Sequence, residues 1–331
     1  MRLRQAAWLG TVAILATNAY SEDVDFAKSL SDQVQKIFEE RSTAVVRVEA
    51  TDRHGRLNGT GFFADPMGTV YTVYSTVAEA EEVFVVVQGR RLPATVLMAD
   101  ARSGIALLKV DVENSFIPAG NSSSLRLASP LVAIGFPLDL EASPSFGILG
   151  GFDKKFQGRF LVSTHIRANV PVQSGYGGAP LLNLQGEVVG IIIAGLEGGS
   201  SCFALPIEAA EKIRRDYVRF GEARHGWIGV TVESMPGNEV HIAELGPETP
   251  ASQSGLKEGD LLLQVGNVGI QNVEDVLDAS FFLTDGDAVA VRVMRGGQEL
   301  QYSIRPVLHP ASEKSGLHAA SSGNEFNLLS K

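Results

Sequence analysis

Short apolar runs separated by turn-forming residues dominate the middle of the chain. Between residues 44 and 206, runs such as AVVRVEAT, GIALLKVDV and SPLVAIGFP recur, with Gly, Pro, Asn or Asp between them. Apolar and polar positions alternate within many runs, which is typical of strands that bury one face. The pattern therefore predicts a mostly β unit of about ten or more strands, arranged as a barrel or a sandwich.

Two stretches with helical periodicity flank this unit. From Phe26 to Phe38, apolar residues recur at steps of three and four. The same spacing returns over residues 207–220, where Ile207, Ala210, Ile213 and Tyr217 share one face. Each stretch is predicted to be one amphipathic helix, since this period aligns apolar side chains along a single stripe.

A second unit of α+β character is predicted over residues 226–308. Its pattern is strand, short helix, two strands, a longer helix, and then a hairpin through Gly296 and Gly297. About 80 residues suffice for one small core. The tail over residues 309–331 is rich in Ser, Gly and Ala, and is predicted to be disordered.

The N-terminus has the pattern of an export signal. Arg2 and Arg4 precede the apolar run AAWLGTVAILA, and the small residues Ala19 and Ser21 follow it. We therefore expect a signal peptide over residues 1–21 and a periplasmic or secreted protein. An uncleaved N-terminal anchor stays open as the alternative. No later segment has the length of a membrane span.

Composition excludes several classes of site. The formal net charge is −10, which argues against nucleic-acid binding through phosphate contacts. Cys202 is the only cysteine, so neither an intrachain disulfide nor a multi-cysteine zinc site can form. None of the six histidines is paired at metal-ligand spacing. The sequence gives no reason to expect a metal or an organic cofactor.

The order of the motifs resembles the HtrA/Deg family of exported trypsin-like serine proteases with a C-terminal PDZ domain. The matching stretches are GTGFF, YTVYSTV, DARSGIALLK, AIGFP, GYGGAPLLNLQGEVVGI and FALPIEAAEKI, followed by GWIGV and ETPASQSGLKEGDLLLQVGN. This resemblance implies a chymotrypsin-like double β-barrel over residues 44–220 and a PDZ domain over residues 226–308.

The resemblance also shows where the family's catalytic triad would lie. A serine nucleophile needs a histidine to take its proton and an aspartate to orient that histidine. At the matching positions this chain has Ser75 for the histidine, Gly104 for the aspartate and Gly177 for the serine. Because all three are replaced, we expect a catalytically inactive homologue. Loss of a triad costs about 10⁶-fold in well-studied serine proteases.

A relocated catalytic pair is the alternative to inactivity. Ser174 and Ser75 are the candidate nucleophiles, and His54 and His165 are the candidate bases. A serine cannot act as a general base near neutral pH, so a histidine would have to lie within hydrogen-bond reach. The alternative function is an active serine endopeptidase of envelope protein quality control with a non-standard site.

The loop around Gly177 is expected to keep its shape without its nucleophile. Gly175, Tyr176 and Gly178 surround that position and form a vestigial oxyanion loop. The backbone N–H groups of Gly175 and Gly177 would still point to where an oxyanion binds in a protease.

The PDZ-like unit carries the predicted binding site. In the family, the loop matching GWIGV offers backbone N–H groups to the C-terminal carboxylate of a peptide, which then pairs with the adjacent strand edge. The resemblance assigns this role to Trp227, Ile228, Gly229 and Val230, with further lining from Phe281 or Leu283.

We therefore expect a pseudoprotease that binds C-terminal or unfolded peptide segments and acts as a scaffold or regulator. The resemblance implies a homo-trimer through residues 22–43, or a mixed oligomer with an active HtrA paralogue. Alternatively, the helix in this segment only covers its own barrel.

Overall fold

The computed structural model describes residues 28–308. The predicted signal peptide over residues 1–21 and the predicted disordered tail over residues 309–331 lie outside this range. Helix α1 covers residues 28–41 of the described part, over most of the stretch predicted from apolar periodicity. Its residue Ile37 is buried, with Val34 and Phe38 packed beside it.

Six antiparallel strands close the first barrel. They are hydrogen-bonded in the order β1-β2-β3-β6-β5-β4. The short helix α2 (Tyr74–Val77) directly follows the third strand. The strands are β1 (Val45–Asp52), β2 (Gly55–Phe63), β3 (Thr69–Val73), β4 (Glu82–Val87), β5 (Arg90–Asp100) and β6 (Ile105–Val110).

Six further strands close the second barrel in the order β10-β11-β12-β9-β8-β7. Helix α3 (Ile207–Phe220) follows it and ends at Gly221, whose φ of 78° is left-handed, as is common after a helix. The strands are β7 (Pro130–Gly135), β8 (Ser143–Phe156), β9 (Arg159–Asn169), β10 (Pro180–Leu182), β11 (Val188–Leu196) and β12 (Ser201–Pro206).

The third unit is a small open sheet with two helices. Its sheet order is β14-β15-β16-β18-β19, with β17 beside β16, so one edge of β14 has no partner strand within the described residues. The pair β13 (Gly226–Trp227) and β20 (Val307–Leu308) joins its two ends. The other elements are β14 (Val230–Ser234), β15 (Val240–Leu245), α4 (Pro250–Ser254), β16 (Leu261–Val265), β17 (Val268–Gly269), α5 (Val273–Phe281), β18 (Val289–Arg295) and β19 (Gln298–Ile304).

The predicted architecture, two barrels followed by an α+β unit, is confirmed. One buried cluster joins both barrels, α1 and α3, and it includes Phe281 from the third unit. The other clusters fill the interior of each barrel and of the small sheet. Two places on this framework could act on a ligand: the junction between the barrels and the open edge of β14.

Candidate functional site

The three positions that the resemblance assigns to a catalytic triad come together where β3 passes into α2. The backbone N–H of Tyr74 donates to the carbonyl of Gly104 at 2.8 Å, which brings the Gly104 turn beside Ser75. A Cβ at Gly177 would lie 3.1 Å from Cγ1 of Val73. Two barrels thus contribute to one junction, as in a protease cleft.

These positions offer little chemistry. Ser75 is exposed and lies in the first turn of α2. Gly104 and Gly177 have no side chain, and Gly104 has a left-handed φ of 76°. The only side chain at the three positions is therefore the hydroxymethyl group of Ser75. The other two positions supply no group that could accept its proton.

The glycines of the loop that contains Gly177 are not equivalent. Gly175 and Gly178 have φ of 99° and 86°, and an added Cβ would lie 2.1 Å from the carbonyl oxygens of Phe136 and Thr60, respectively. Only glycine fits those two places. Gly177 is outside the left-handed region and meets only the side chain of Val73, so its backbone does not require glycine.

Thr60 of the first barrel holds this loop of the second barrel. Its N–H donates to the Gly177 carbonyl at 2.8 Å, and its hydroxyl donates to the Gly175 carbonyl at 2.6 Å. The N–H of Phe136 donates to the same hydroxyl at 3.1 Å. Two hydrogen bonds from Thr60 therefore fix the loop, and the bond from Phe136 fixes the Thr60 hydroxyl; none of the three involves a catalytic group.

Tyr176 is turned into the second barrel. It is buried, and its hydroxyl donates to the carbonyl of Ser143 at 3.2 Å. Burial raises the pKa of this phenol, although the contact between its oxygen and the Ser143 hydroxyl opposes the shift. Tyr176 thus packs the core behind the loop.

The two histidines considered as relocated bases have other surroundings. His54 is exposed in the turn that precedes β2, roughly 16 Å along that strand from Gly59, which lies beside the Gly177 carbonyl. His165 is buried in β9, with its Nδ1 2.7 Å from the Ser163 carbonyl, and burial lowers its pKa. Ser174 is exposed, and no hydrogen bond joins it or Ser75 to a histidine within residues 28–308.

A pocket of about 80 Å³ opens between the start of β14 and α5. Five of the six predicted binding residues line it: Trp227, Ile228, Gly229, Val230 and Leu283. Its walls are apolar apart from backbone groups and the Ser280 hydroxyl. The residues that sequence reasoning missed are chiefly Val276 and Ser280, which share one face of α5 at a spacing of four.

Phe281 does not line this pocket. It is fully buried in the cluster that joins the barrels, with Nζ of Lys212 on α3 5.8 Å from its ring centroid. It follows Ser280 by one residue, and one residue turns a helix by about 100°, so Phe281 points to a different surface. The expectation that Phe281 contacts peptide is therefore corrected: this ring anchors α5 to the first two units.

The backbone at Gly229 is shaped by its neighbours. Its φ is 81°, and a Cβ there would lie 2.3 Å from Cβ of Thr249. The carbonyl of Gly229 accepts from the N–H of Gly246 at 3.0 Å. Within the described part of the chain, the N–H groups of Ile228 and Gly229 have no hydrogen-bond acceptor. Two donors beside an apolar pocket suit a terminal carboxylate.

Charged contacts dock the third unit on the barrels. Lys154 of β8 pairs with Asp275 of α5, and the N–H of Thr164 donates to Asp278 at 2.6 Å. His225 lies 3.3 Å from Asp100. These partners are more than one hundred residues apart, and no local sequence signal indicates them.

Residues 28–308 contain no group of three or more His, Cys, Asp or Glu side chains placed to hold a metal ion. Among the helices in the same range, none has both the length and the apolar character needed to cross a membrane.

Two family models match the chain. The model of the trypsin-like peptidase domain matches residues 59–191, and the model of the PDZ domain matches residues 226–305. The "Probable periplasmic serine endoprotease DegP-like" of Halomonas elongata is 29% identical over 273 residues, covering 77% of this chain and 57% of that protein. Its counterpart in Hahella chejuensis is 29% identical over 272 residues, covering 77% and 58%. The chain thus spans somewhat over half the length of these relatives.

Solved structures with the same fold include two proteases. The HtrA-type protease AlgW with tripeptide aligns over 84% of this chain and 97% of its own, with a TM-score of 0.70 and 21% identity. The serine endoprotease from Yersinia pestis aligns over 83% and 98%, with a TM-score of 0.62 and 25% identity. The whole succession of barrel, barrel and small sheet is therefore shared.

Proposed function

Because this chain joins a trypsin-like peptidase fold to a C-terminal PDZ domain, as HtrA-type proteases do, we propose that it is a peptide-binding pseudoprotease. The two units are residues 44–220 and residues 226–308. The PDZ unit binds apolar C-terminal or unfolded peptide segments, and the protease-like unit supports it without hydrolysing them. The protein acts as a scaffold or as a regulator of an active relative.

Peptide binding is supported above all by the features that meet at Gly229: N–H donors, an apolar pocket and a strand edge. Two N–H groups, at Ile228 and Gly229, have no acceptor among residues 28–308, and they adjoin an apolar pocket at the start of a strand edge that is open within this range. A carboxylate would accept from both N–H groups while the last side chain enters the pocket. The preceding residues would pair with β14 by strand addition.

The lack of hydrolysis follows from what the junction between the barrels lacks. Acyl transfer needs a nucleophile, a base and an orienting acid in mutual contact. With glycine at positions 104 and 177, only Ser75 has a side chain among the three triad positions, and its own hydroxyl cannot serve as the base. The backbone of the loop is left as a cradle for a carbonyl or carboxylate oxygen.

Export and assembly belong to the same proposal. Relatives are named periplasmic proteases, and the N-terminal pattern over residues 1–21 fits a signal peptide or an uncleaved anchor. A homo-trimer through residues 22–43, or a mixed oligomer with an active paralogue, remains our proposal. The burial of Ile37 against the chain's own core supports the alternative role of α1 as a cover.

Peptide binding is tested with fluorescent peptides that end in an apolar residue, titrated against the full chain. We expect saturable binding that an amidated C-terminus weakens. Val276→Lys places a charge in the pocket and should abolish binding. Val218→Lys is the matched control, because Val218 is 75% exposed on α3. Equal binding by both variants, or none by the native chain, would overturn the proposal.

The rival function is a serine endopeptidase with a non-standard site, which the names of the relatives favour. A fluorophosphonate probe and casein separate the two. We expect neither labelling nor cleavage by the native chain. Labelling that disappears with Ser75→Ala or Ser174→Ala would establish the rival instead.

A further inference from the structure

The groove between β14 and α5 has a second, polar end that the second barrel helps to build. Val230 at the start of β14 lines the apolar pocket, and Ser234 at its end lines another pocket of about 470 Å³. Val273 and Glu274, at the start of α5, line this second pocket. Lys155 reaches it from β8 and forms an ion pair with Glu274.

The length of β14 places this pocket on the path of a bound peptide. Four steps along the strand, from Val230 to Ser234, span roughly 13 Å. A peptide paired with the open edge advances at the same rise. With its last side chain in the apolar pocket, its fifth residue from the C-terminus would reach the second one.

The charge of the unit indicates which side chain that residue should have. Residues 226–308 contain twelve Asp and Glu but four Lys and Arg, so the unit accounts for most of the chain's formal net charge of −10. Near the polar end of the groove, Glu233 and Glu239 are exposed on β14 and the hairpin that follows it. Lys155 is the only cation among the side chains that line the second pocket, and it comes from a different unit.

From this geometry, and resting on the proposed peptide binding, we propose that the preferred partners are basic segments. They carry Lys or Arg at the fifth position from an apolar C-terminus. The peptide cation pairs with Glu274 in the place that Lys155 holds in the free protein. Lys155 is then an internal competitor that is displaced as the peptide binds.

The position of this ion pair explains why it is suited to exchange. Lys155 is half exposed, whereas Glu274 is more covered. The neighbouring pair differs, because Asp275 is buried and also accepts from the N–H groups of Gln271 and Asn272. Lys154 and Asp275 therefore keep the units docked while Lys155 and Glu274 separate.

The test uses three ten-residue fluorescent peptides with the same valine C-terminus and Lys, Ala or Glu at the fifth position from the end. Binding to the full chain is followed by fluorescence anisotropy at low salt. We expect the Lys peptide to bind about two- to fivefold more tightly than the Ala peptide, and the Glu peptide more weakly than both. The order should collapse near 1 M salt, where the Debye length is about 3 Å.

Three variants locate the effect. Glu274→Gln should remove the preference for Lys, and Lys155→Gln should increase it by relieving competition. Glu299→Gln is the control of equal charge change, since Glu299 lies on β19 at the opposite edge of the sheet. It should leave the preference intact.

The outcomes separate the two proposals. If all three peptides bind equally, the basic preference is overturned while peptide binding stands. If Glu299→Gln reduces the preference for Lys as much as Glu274→Gln, the preference reflects the overall charge of the unit. That result also overturns the inference. If no peptide binds, both proposals fail.

Discussion

Nε2 of His225 lies 3.3 Å from Oδ1 of Asp100, across 125 residues of chain. Asp100 ends β5 in the first barrel, and His225 immediately precedes the PDZ unit. The N–H of Ser103 donates to the other carboxylate oxygen at 3.0 Å. This contact ties the segment between the units to the barrel, and it gives the docked arrangement a dependence on pH.

The first prediction concerns Asp100. Burial would raise its pKa. However, hydrogen bonds from His225 and Ser103, together with the charge of His225, outweigh burial and lower the pKa below its ordinary value. A lowered pKa means that the contribution is fully present above about pH 4 and is lost as the pH falls through the folded-state pKa. Asp100→Asn should lower the free energy of unfolding by about 1–3 kcal/mol at pH 7.

Urea unfolding of the native chain and Asp100→Asn between pH 7 and pH 3 checks this. The difference between them should shrink as the pH falls below 4. The exposed Asp111→Asn is the control and should show no such trend. A difference that stays constant down to pH 3 would contradict the assignment.

The second prediction compares two adjacent phenylalanines. Phe281 is fully buried between α5 and α3, whereas Phe282 is 39% exposed. Phe281→Ala leaves a cavity between α5 and α3 and should lower the free energy of unfolding by about 3–5 kcal/mol. Phe282→Ala should cost about 1 kcal/mol. Limited proteolysis should cut residues 221–225 faster only in the first variant, and equal sensitivity of both would contradict the anchoring role.

The third prediction distinguishes the loop glycines. Gly178→Ala forces a Cβ to 2.1 Å from the Thr60 carbonyl in a left-handed conformation, and should destabilise by about 2–3 kcal/mol. Gly177→Ala needs only a small shift of Val73, and should cost about 1 kcal/mol or less. Melting temperatures of the two variants, measured in one buffer, test this order of stability. A larger decrease for Gly177→Ala than for Gly178→Ala would contradict the prediction.

The fourth prediction is a gain of function. The combined variant Ser75→His, Gly104→Asp and Gly177→Ser places a triad on the junction where these positions already meet. We expect slow labelling by a fluorophosphonate, because the serine then has a base and the base has an acid. Aspartate tolerates the left-handed φ of position 104 better than most residues do.

The matched control carries Gly177→Ala with the other two changes and should not be labelled. None of the single variants should react, since each lacks a partner. A folded triple variant without labelling would show that the junction differs from a protease site in more than its side chains.

The fold could be predicted from the sequence because its signals are local. Alternating apolar residues gave the strands, and the period over Ile207–Phe220 gave α3 with its exact limits in the structure. The hairpin turn at Gly296 and Gly297 has left-handed φ at both residues, as its composition indicates. The assignment of Ser75, Gly104 and Gly177 as triad positions also depends on motifs a few residues long, and it stays a prediction.

Contacts between the units could not be predicted in this way. Periodicity indicates that Phe281 is buried, but not whether a peptide or α3 covers it. The pairs of His225 with Asp100 and of Lys154 with Asp275 join segments that are separated by 125 and 121 residues. Only folding brings those side chains together.

The hydrogen bonds of Thr60 have a consequence for how such chains are recognised. Thr60 binds the carbonyls of Gly175 and Gly177, and the glycines at 175 and 178 leave room for the close approach of the two barrels, whether or not a nucleophile is present at position 177. A sequence match to a protease at those glycines therefore reflects how the two barrels pack together and says nothing about catalytic activity. The residue that distinguishes an active from an inactive chain is the one at position 177, because the backbone there does not require glycine.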